Sequence, residues 1–162
     1  PEPPPEPLAR LRFGPDSDRH NCERGIYVAF LARLGLLAPM LQRAHGDAIA
    51  ALHFQSATGS EFLSTVLHGE LRPEHLSPAG RAFTEAYLSS GRYDRDLSLL
   101  ASPRGESEWD RYGVVAPVIM AAYERWRSSS DPDADSAPEP PARSPRQDRG
   151  PVARILGFPR RR

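Results

Sequence analysis

Apolar residues recur at helical spacing through the middle of the chain, and the clearest example is EWDRYGVVAPVIMAAYERWR, residues 108–127. Intervals that alternate between three and four residues place its apolar members on one side of a helix. These members are Trp109, Tyr112, Ala116, Ile119, Tyr123 and Trp126. Because aromatic rings bury large apolar areas, we predict that the other helices pack around this one. Ser107 and Asp110 predict its start as a capping box, and Pro117 predicts a kink.

Earlier segments carry shorter helical patterns, each bounded by capping residues, glycine or proline. The predicted segments are 25–37, 39–54, a short helix capped by Thr58 and Glu61, a helix starting after Ser77, and 93–100. No segment alternates with period two, so no strand is predicted. The predicted fold class is all-α, a compact bundle of five or six mostly short helices. Its predicted core includes Phe30, Phe62, Phe83 and Tyr87 together with Trp109, Tyr112, Ile119, Tyr123 and Trp126.

The two ends differ from the middle in composition. Residues 1–18 form a Pro-rich extension, 19–127 the predicted helical domain, and 128–162 a predicted disordered tail rich in Ser, Pro, Asp and Arg. The tail ends in PVARILGFPRRR, an apolar cluster followed by arginines. That form is typical of a docking peptide or a weak membrane-surface contact, and an unselected tail is the alternative.

Charge and cysteine content narrow the possible partners. The chain has 21 basic and 21 acidic residues, so no overall field attracts nucleic acid or membranes. It has no apolar run long enough to cross a bilayer and no signal peptide pattern, which predicts a cytoplasmic protein. The single cysteine, Cys22, excludes an internal disulfide and suggests a reducing compartment.

The sequence gives only weak evidence for catalytic or metal-binding residues. His45, Asp47 and His53 are the nearest approach to a metal cluster, but the two histidines lie eight residues apart, about 12 Å along a helix. The carboxylates of Asp94 and Asp96 alternate with arginines, which favours solvated ion pairs over an acid–base pair. No nucleophile, phosphate-loop or metalloprotease motif is present. We therefore predict no catalytic, cofactor or metal residues.

The order of several segments is similar to a known family. They are GIYVAFLARLGLL, TGSEFLSTVLHGEL, LSPAGRAFTEAYLSSGRYDRDL and the W-x-x-Y-x-x-x-A-P-V pattern that starts at Trp109. From Gly25 to Arg127 the chain resembles a family of small helical bacterial proteins catalogued as a domain of unknown function. The resemblance implies no activity. Proteins of this size and style also resemble the immunity partners that bacteria encode beside secreted toxins, which implies a binding role by analogy.

Two functional hypotheses follow. The first is a non-enzymatic protein-binding domain, in its most concrete form a toxin-neutralising immunity-type protein that occludes its partner. The second is a small enzyme or ligand-binding domain with a pocket at the kinked helix near Tyr112 and Pro117. For the first, the predicted partner-binding residues are Arg92, Tyr93, Arg95 and Arg104, with Tyr93 as the anchor and the charges steering association. An ordinary solvated surface is the alternative interpretation of that strip.

Overall fold

Seven α-helices and one short strand pair are formed by residues 2–100 and 107–130, the part of the chain that the computed structural model describes. In chain order the elements are β1 (Ala9–Arg10), α1 (Ser17–Arg33), α2 (Pro39–Ala44), α3 (Gly46–His53), α4 (Gly59–Thr65), β2 (Glu70–Leu71), a 3₁₀ turn (Pro73–His75), α5 (Pro78–Tyr87), α6 (Arg92–Ser98) and α7 (Glu108–Ser130). The predicted all-α class is confirmed, with a minor sheet of two strands added.

The most deeply buried element is α1. Eight consecutive residues, from Gly25 to Ala32, are buried in it. A helix that is buried all round must have neighbours on every side, and α1 contacts β1, α3, α4 and α7. Arg33, at the end of α1, packs over the rings of Trp109 and Tyr112 at 5.5 and 5.2 Å. A guanidinium is attracted to aromatic faces, so this contact helps to hold α7 against α1.

The N-terminal segment corrects two predictions. Residues 9–10 pair antiparallel with residues 70–71, although no strand was predicted, and Ala9 is buried. Helix α1 also begins eight residues before the predicted start at Gly25. The strand pair depends on distant positions, since the amides of Leu8 and Leu11 donate to the carbonyls of Leu71 and Gly69. In the added turns of α1, the Asn21 side chain exchanges hydrogen bonds with the backbone of Arg12. The boundary predicted after residue 18 therefore falls inside α1.

The predicted helix over 39–54 is divided into α2 and α3. His45, between them, has φ −127° and ψ 35°, outside the helical region. Gly46 follows directly, and glycine weakens a helix interior. The predicted capping box before α4 is confirmed: the Glu61 amide donates to Thr58 Oγ1 at 3.1 Å, and the Thr58 amide to Glu61 Oε2 at 2.7 Å.

Glycines allow α1 and α4 to touch along their backbones. A Cβ added at Gly59 would lie 1.8 Å from the carbonyl oxygen of Gly25, and one added at Gly25 would lie 2.4 Å from the amide nitrogen of Ser60. No side chain fits at either position without moving a helix. This close approach brings Phe62 and Leu63 of α4 into the core.

Helix α7 starts as predicted, because the Asp110 amide donates to Ser107 Oγ and the Ser107 amide donates to Asp110 Oδ2. The helix is continuous past Pro117 and ends at Ser130, beyond the predicted domain boundary at residue 127. The hydroxyls of Ser128 and Ser129 donate to carbonyls four residues earlier and so fit the last turn. The disordered tail was predicted to start at residue 128, but residues 128–130 belong to α7, and the rest of the predicted tail, 131–162, lies outside the described residues.

The predicted core residues divide into two groups. Phe30, Phe62, Phe83, Tyr87 and Ile119 are buried. Trp109, Tyr112, Tyr123 and Trp126 are only half-buried and pack against the edge of the core. The fully buried positions of α7 are Val115, Ile119 and Ala122. The aromatic stripe therefore lies along the margin of the contact between α7 and the rest of the domain, and part of each large ring faces solvent.

Candidate functional site

Tyr93, the predicted anchor for a partner, lies inside the protein. Its side chain is 0% exposed, and its hydroxyl donates to the carbonyl oxygen of Glu23 at 2.6 Å. Its ring packs 5.1 Å from that of Tyr27 and 5.7 Å from that of Tyr87. The prediction that Tyr93 anchors a partner is therefore wrong. The spacing of Tyr93 and Leu97, four residues apart, was the signal that both share the buried face of α6.

The acidic residues of α6 are engaged with the domain itself. Asp94 accepts two hydrogen bonds from the Arg24 guanidinium, at 2.9 and 3.2 Å. Asp96 accepts a hydrogen bond from the Tyr87 hydroxyl at 2.7 Å. Burial is the main cause that raises the pKa of Tyr87, and the bond to Asp96 adds to it, so this hydroxyl stays protonated and keeps donating. These bonds fix the orientation of α6 on the domain.

The arginines of α6 face solvent instead. Arg92 and Arg95 are exposed, and within residues 2–100 and 107–130 no carboxylate lies within 4.0 Å of Arg92, Arg95 or Arg125. Arg104, the fourth predicted binding residue, lies outside the described residues. Of the four predicted partner-binding residues, Arg92 and Arg95 are therefore the two that the structure describes as exposed.

Arg92 and Arg125 line the same open cleft, which has a volume of about 900 Å³. We call it the arginine cleft; its other lining residues are Ala121, Ala122, Glu124, Trp126, Ser128 and Ser129. Trp126 is held in place by Phe83 and Tyr123, whose ring centroids lie 5.6 and 5.8 Å from its own. The cleft thus combines two cationic groups with a fixed aromatic ring.

An apolar groove of about 370 Å³ continues from this cleft. Its lining residues are Asp96, Leu99, Leu100, Pro117, Val118, Ala121 and Arg125, so the two concavities share Ala121 and Arg125. Leu99 is 84% exposed beside it. Together the apolar groove and the arginine cleft form what we call the α6–α7 face.

Leu99 and Val118 were not predicted to line a groove, although the sequence carried a signal for Leu99. Leu97 and Leu99 lie two residues apart, about 200° around a helix, so they cannot share one side. Leu97 takes the buried position, which leaves Leu99 exposed. Val118, on α7, is half-buried and borders the groove next to Pro117.

The pocket predicted near Tyr112 and Pro117 is found only in part. Pro117 lines the apolar groove, but Tyr112 does not. The Tyr112 ring instead packs 5.0 Å from Trp109 and 5.2 Å from the Arg33 guanidinium. Among the residues that the structure describes, Asp96 and Arg125 are the charged groups that line the groove.

A separate polar cluster joins α1, α4 and α7. Glu108 accepts hydrogen bonds from the amide of Ser60, at 2.9 Å, and from its hydroxyl. Burial raises the pKa of Glu108, and it also raises the pKa of the nearby Cys22 thiol to about 11. A thiol with that pKa is a poor nucleophile at neutral pH. Among the described residues no group of three His, Cys, Asp or Glu side chains could hold a metal ion.

The fold and the site define a small all-α protein with an open apolar and basic surface. A family model matches residues 16–109, more than half of the chain, and the chain belongs to that family, the domain of unknown function DUF7832. The match ends at Trp109, whereas the resemblance was expected to extend to Arg127. No curated protein and no solved structure matches the chain. None of the described helices is both long and apolar enough to cross a bilayer.

Proposed function

We propose that this protein is a non-enzymatic binding domain that uses the α6–α7 face to hold another protein. The observation that carries the proposal is the exposure of Leu99 beside the apolar groove. A leucine that is 84% exposed at the edge of an apolar concavity leaves surface that a partner can remove from water. Exposed apolar surface next to a pocket is typical of protein interfaces.

The residue types around the groove also support a protein partner. Arg and Trp are the residues that most often dominate binding energy at interfaces, and Arg92, Arg125 and Trp126 lie together in the adjoining cleft. Trp126 loses little freedom on binding, because Phe83 and Tyr123 already hold its ring. We therefore place the centre of the interface on the second half of α7.

In its finer form the proposal is that the domain belongs to a cytoplasmic bacterial immunity-type protein, and that the partner is a toxin whose active surface it covers. This form rests on the small helical architecture and on analogy with immunity proteins. A gene encoding a secreted toxin next to the gene for this chain would support it. A partner with no toxic activity would leave the binding proposal standing and would remove the immunity role.

The test compares two substitutions that each replace an exposed apolar side chain by serine. Leu99→Ser removes the apolar group at the groove, and Phe54→Ser removes an equally exposed ring, 82% accessible, at the end of α3. The tagged full chain and both variants are used to capture partners from cells that naturally produce the protein. Affinity of each identified partner is then measured with purified components by isothermal titration calorimetry.

We expect the wild-type chain and Phe54→Ser to retain the same partner, and Leu99→Ser to bind it at least about tenfold more weakly. Burying a leucine contributes about 1.5 kcal/mol or more, which corresponds to that factor. Equal affinity in Leu99→Ser and the wild-type chain would show that the α6–α7 face is not the interface. Circular dichroism of each variant serves as the control for folding.

A further inference from the structure

Apolar and basic residues occupy opposite ends of the α6–α7 face along α7. If the proposed function holds, this arrangement indicates which chemical groups the partner presents. Pro117 and Val118 lie at the apolar end, and Ser128 and Ser129 lie at the other end of the arginine cleft. Ser129 follows Pro117 by twelve positions along α7, a distance of about 18 Å. That length matches about five or six residues of an extended peptide or three turns of a helix.

The cationic end of this face has few internal acids to neutralise it. On α6, the carboxylate of Asp94 is held by Arg24 and that of Asp96 accepts from Tyr87. Among the described lining residues of the cleft, Glu124 is the one carboxylate, against the two guanidinium groups of Arg92 and Arg125. The cleft therefore carries an excess of positive charge among its lining residues.

The hydrogen-bond donors of the cleft come mainly from its arginines. The hydroxyl hydrogens of Ser128 and Ser129 are already donated to helix carbonyls. The Nε–H of Arg125 donates to the Ala121 carbonyl at 3.3 Å, and its two terminal nitrogens form no hydrogen bond or ion pair within residues 2–100 and 107–130. Guanidinium groups bind carboxylates with paired, charge-assisted hydrogen bonds. The cleft thus suits a carboxylate better than a neutral or cationic group.

From this order we infer that the partner presents a short segment in which an apolar side chain is followed or preceded, within about six residues, by aspartate or glutamate. The apolar side chain enters the groove beside Leu99 and Val118, and the carboxylate binds Arg92 and Arg125. Trp126, which lines the arginine cleft, packs against the part of the segment next to the carboxylate. The occupant is thus an acidic, amphipathic stretch of a protein.

The test uses a phage-displayed library of random twelve-residue peptides selected against the immobilised full chain. Selection is repeated against the double variant Arg92→Glu/Arg125→Glu and against Arg95→Glu. Arg95 is exposed on the same helix but does not line the cleft, so it controls for a change of net charge. Affinities of selected peptides are then measured by fluorescence anisotropy at low and high salt.

We expect peptides selected by the wild-type chain and by Arg95→Glu to combine an apolar residue with Asp or Glu, and to bind about tenfold more weakly to the double variant. The double variant should instead select peptides with Arg or Lys in place of the acids. The affinity of the acidic peptides for the wild-type chain should also fall as the salt concentration is raised, because the contacts are between charged groups.

Two different results would separate the failure of this inference from the failure of the proposed function. In the first result, the double variant selects the same acidic peptides, and Leu99→Ser still abolishes their binding. The α6–α7 face then binds peptides, but Arg92 and Arg125 do not cause the preference for Asp or Glu. If no peptide is enriched, or if Leu99→Ser binds the selected peptides as well as the wild-type chain does, the face itself is not the binding surface and both proposals are overturned.

Discussion

Replacing Gly59 by alanine perturbs the closest contact in the fold, that between α1 and α4. The added Cβ would lie 1.8 Å from the carbonyl oxygen of Gly25, 2.4 Å from the carbonyl carbon, and 3.0 Å from Cβ of Ala29. The first two atoms belong to the α1 backbone and cannot rotate away. Restoring an ordinary contact of 3.4 Å therefore requires the helices to separate by about 1.5 Å at this point.

The magnitude follows from what that separation removes. Overpacking a core costs about 1–3 kcal/mol, and a gap of about 1 Å removes up to half of the dispersion energy between facing atoms. Phe62 and Leu63, both buried on α4, would lose part of their contact with α1. The helix propensity gained by alanine offsets about 0.5–1 kcal/mol. We expect a net loss of about 2–3 kcal/mol, or roughly 10 °C in Tm.

Urea unfolding of the full chain, followed by the helical circular dichroism signal at about 222 nm, measures this loss of stability. The comparison is valid if the dependence of the unfolding free energy on urea concentration is the same in both proteins. Gly113→Ala is the matched control, because Gly113 is exposed on α7 and no atom lies within 4 Å of its added Cβ. That variant should gain about 0.5–1 kcal/mol. If Gly59→Ala unfolds within about 0.5 kcal/mol of the wild-type chain, the backbone contact between α1 and α4 is not as close as described.

Three further outcomes are expected. Native Cys22 should react slowly with a thiol reagent at pH 7 and quickly after denaturation, because burial raises its pKa to about 11; fast labelling of the folded chain would contradict this. His75 accepts from the Arg72 amide, and burial lowers its pKa below 6.5. The unfolded chain then binds more protons below pH 6.5, so stability should be full above that pH and fall on acidification; His75→Gln should flatten the decline between about pH 7 and 5, and an unchanged slope would exclude this role. Trp109→Phe should cost about 1 kcal/mol by removing the indole bond to Ala57, and unchanged urea unfolding would argue against that bond.

Local sequence signals determined where three of the helices, α4, α5 and α7, begin. The Thr58 and Glu61 capping box, the Ser77 cap and the Ser107 cap each act within three residues, so their physics is complete in the sequence. The apolar spacing determined the all-α class for the same reason, since periodicity fixes which side chains share a face of one helix.

Tertiary structure decided which of those faces meet and which remain open. The pairing of residues 9–10 with 70–71 and the contact of Gly25 with Gly59 join positions far apart in the chain, and no local pattern encodes such partners. Tyr93 is buried only because α6 lies against α1, where the carbonyl of Glu23 accepts its hydroxyl. Leu99 is exposed for the complementary reason, since Leu97 already occupies the inner face of α6. The α6–α7 face thus arises from how two helices share the surface of a core, which depends on packing across the whole domain.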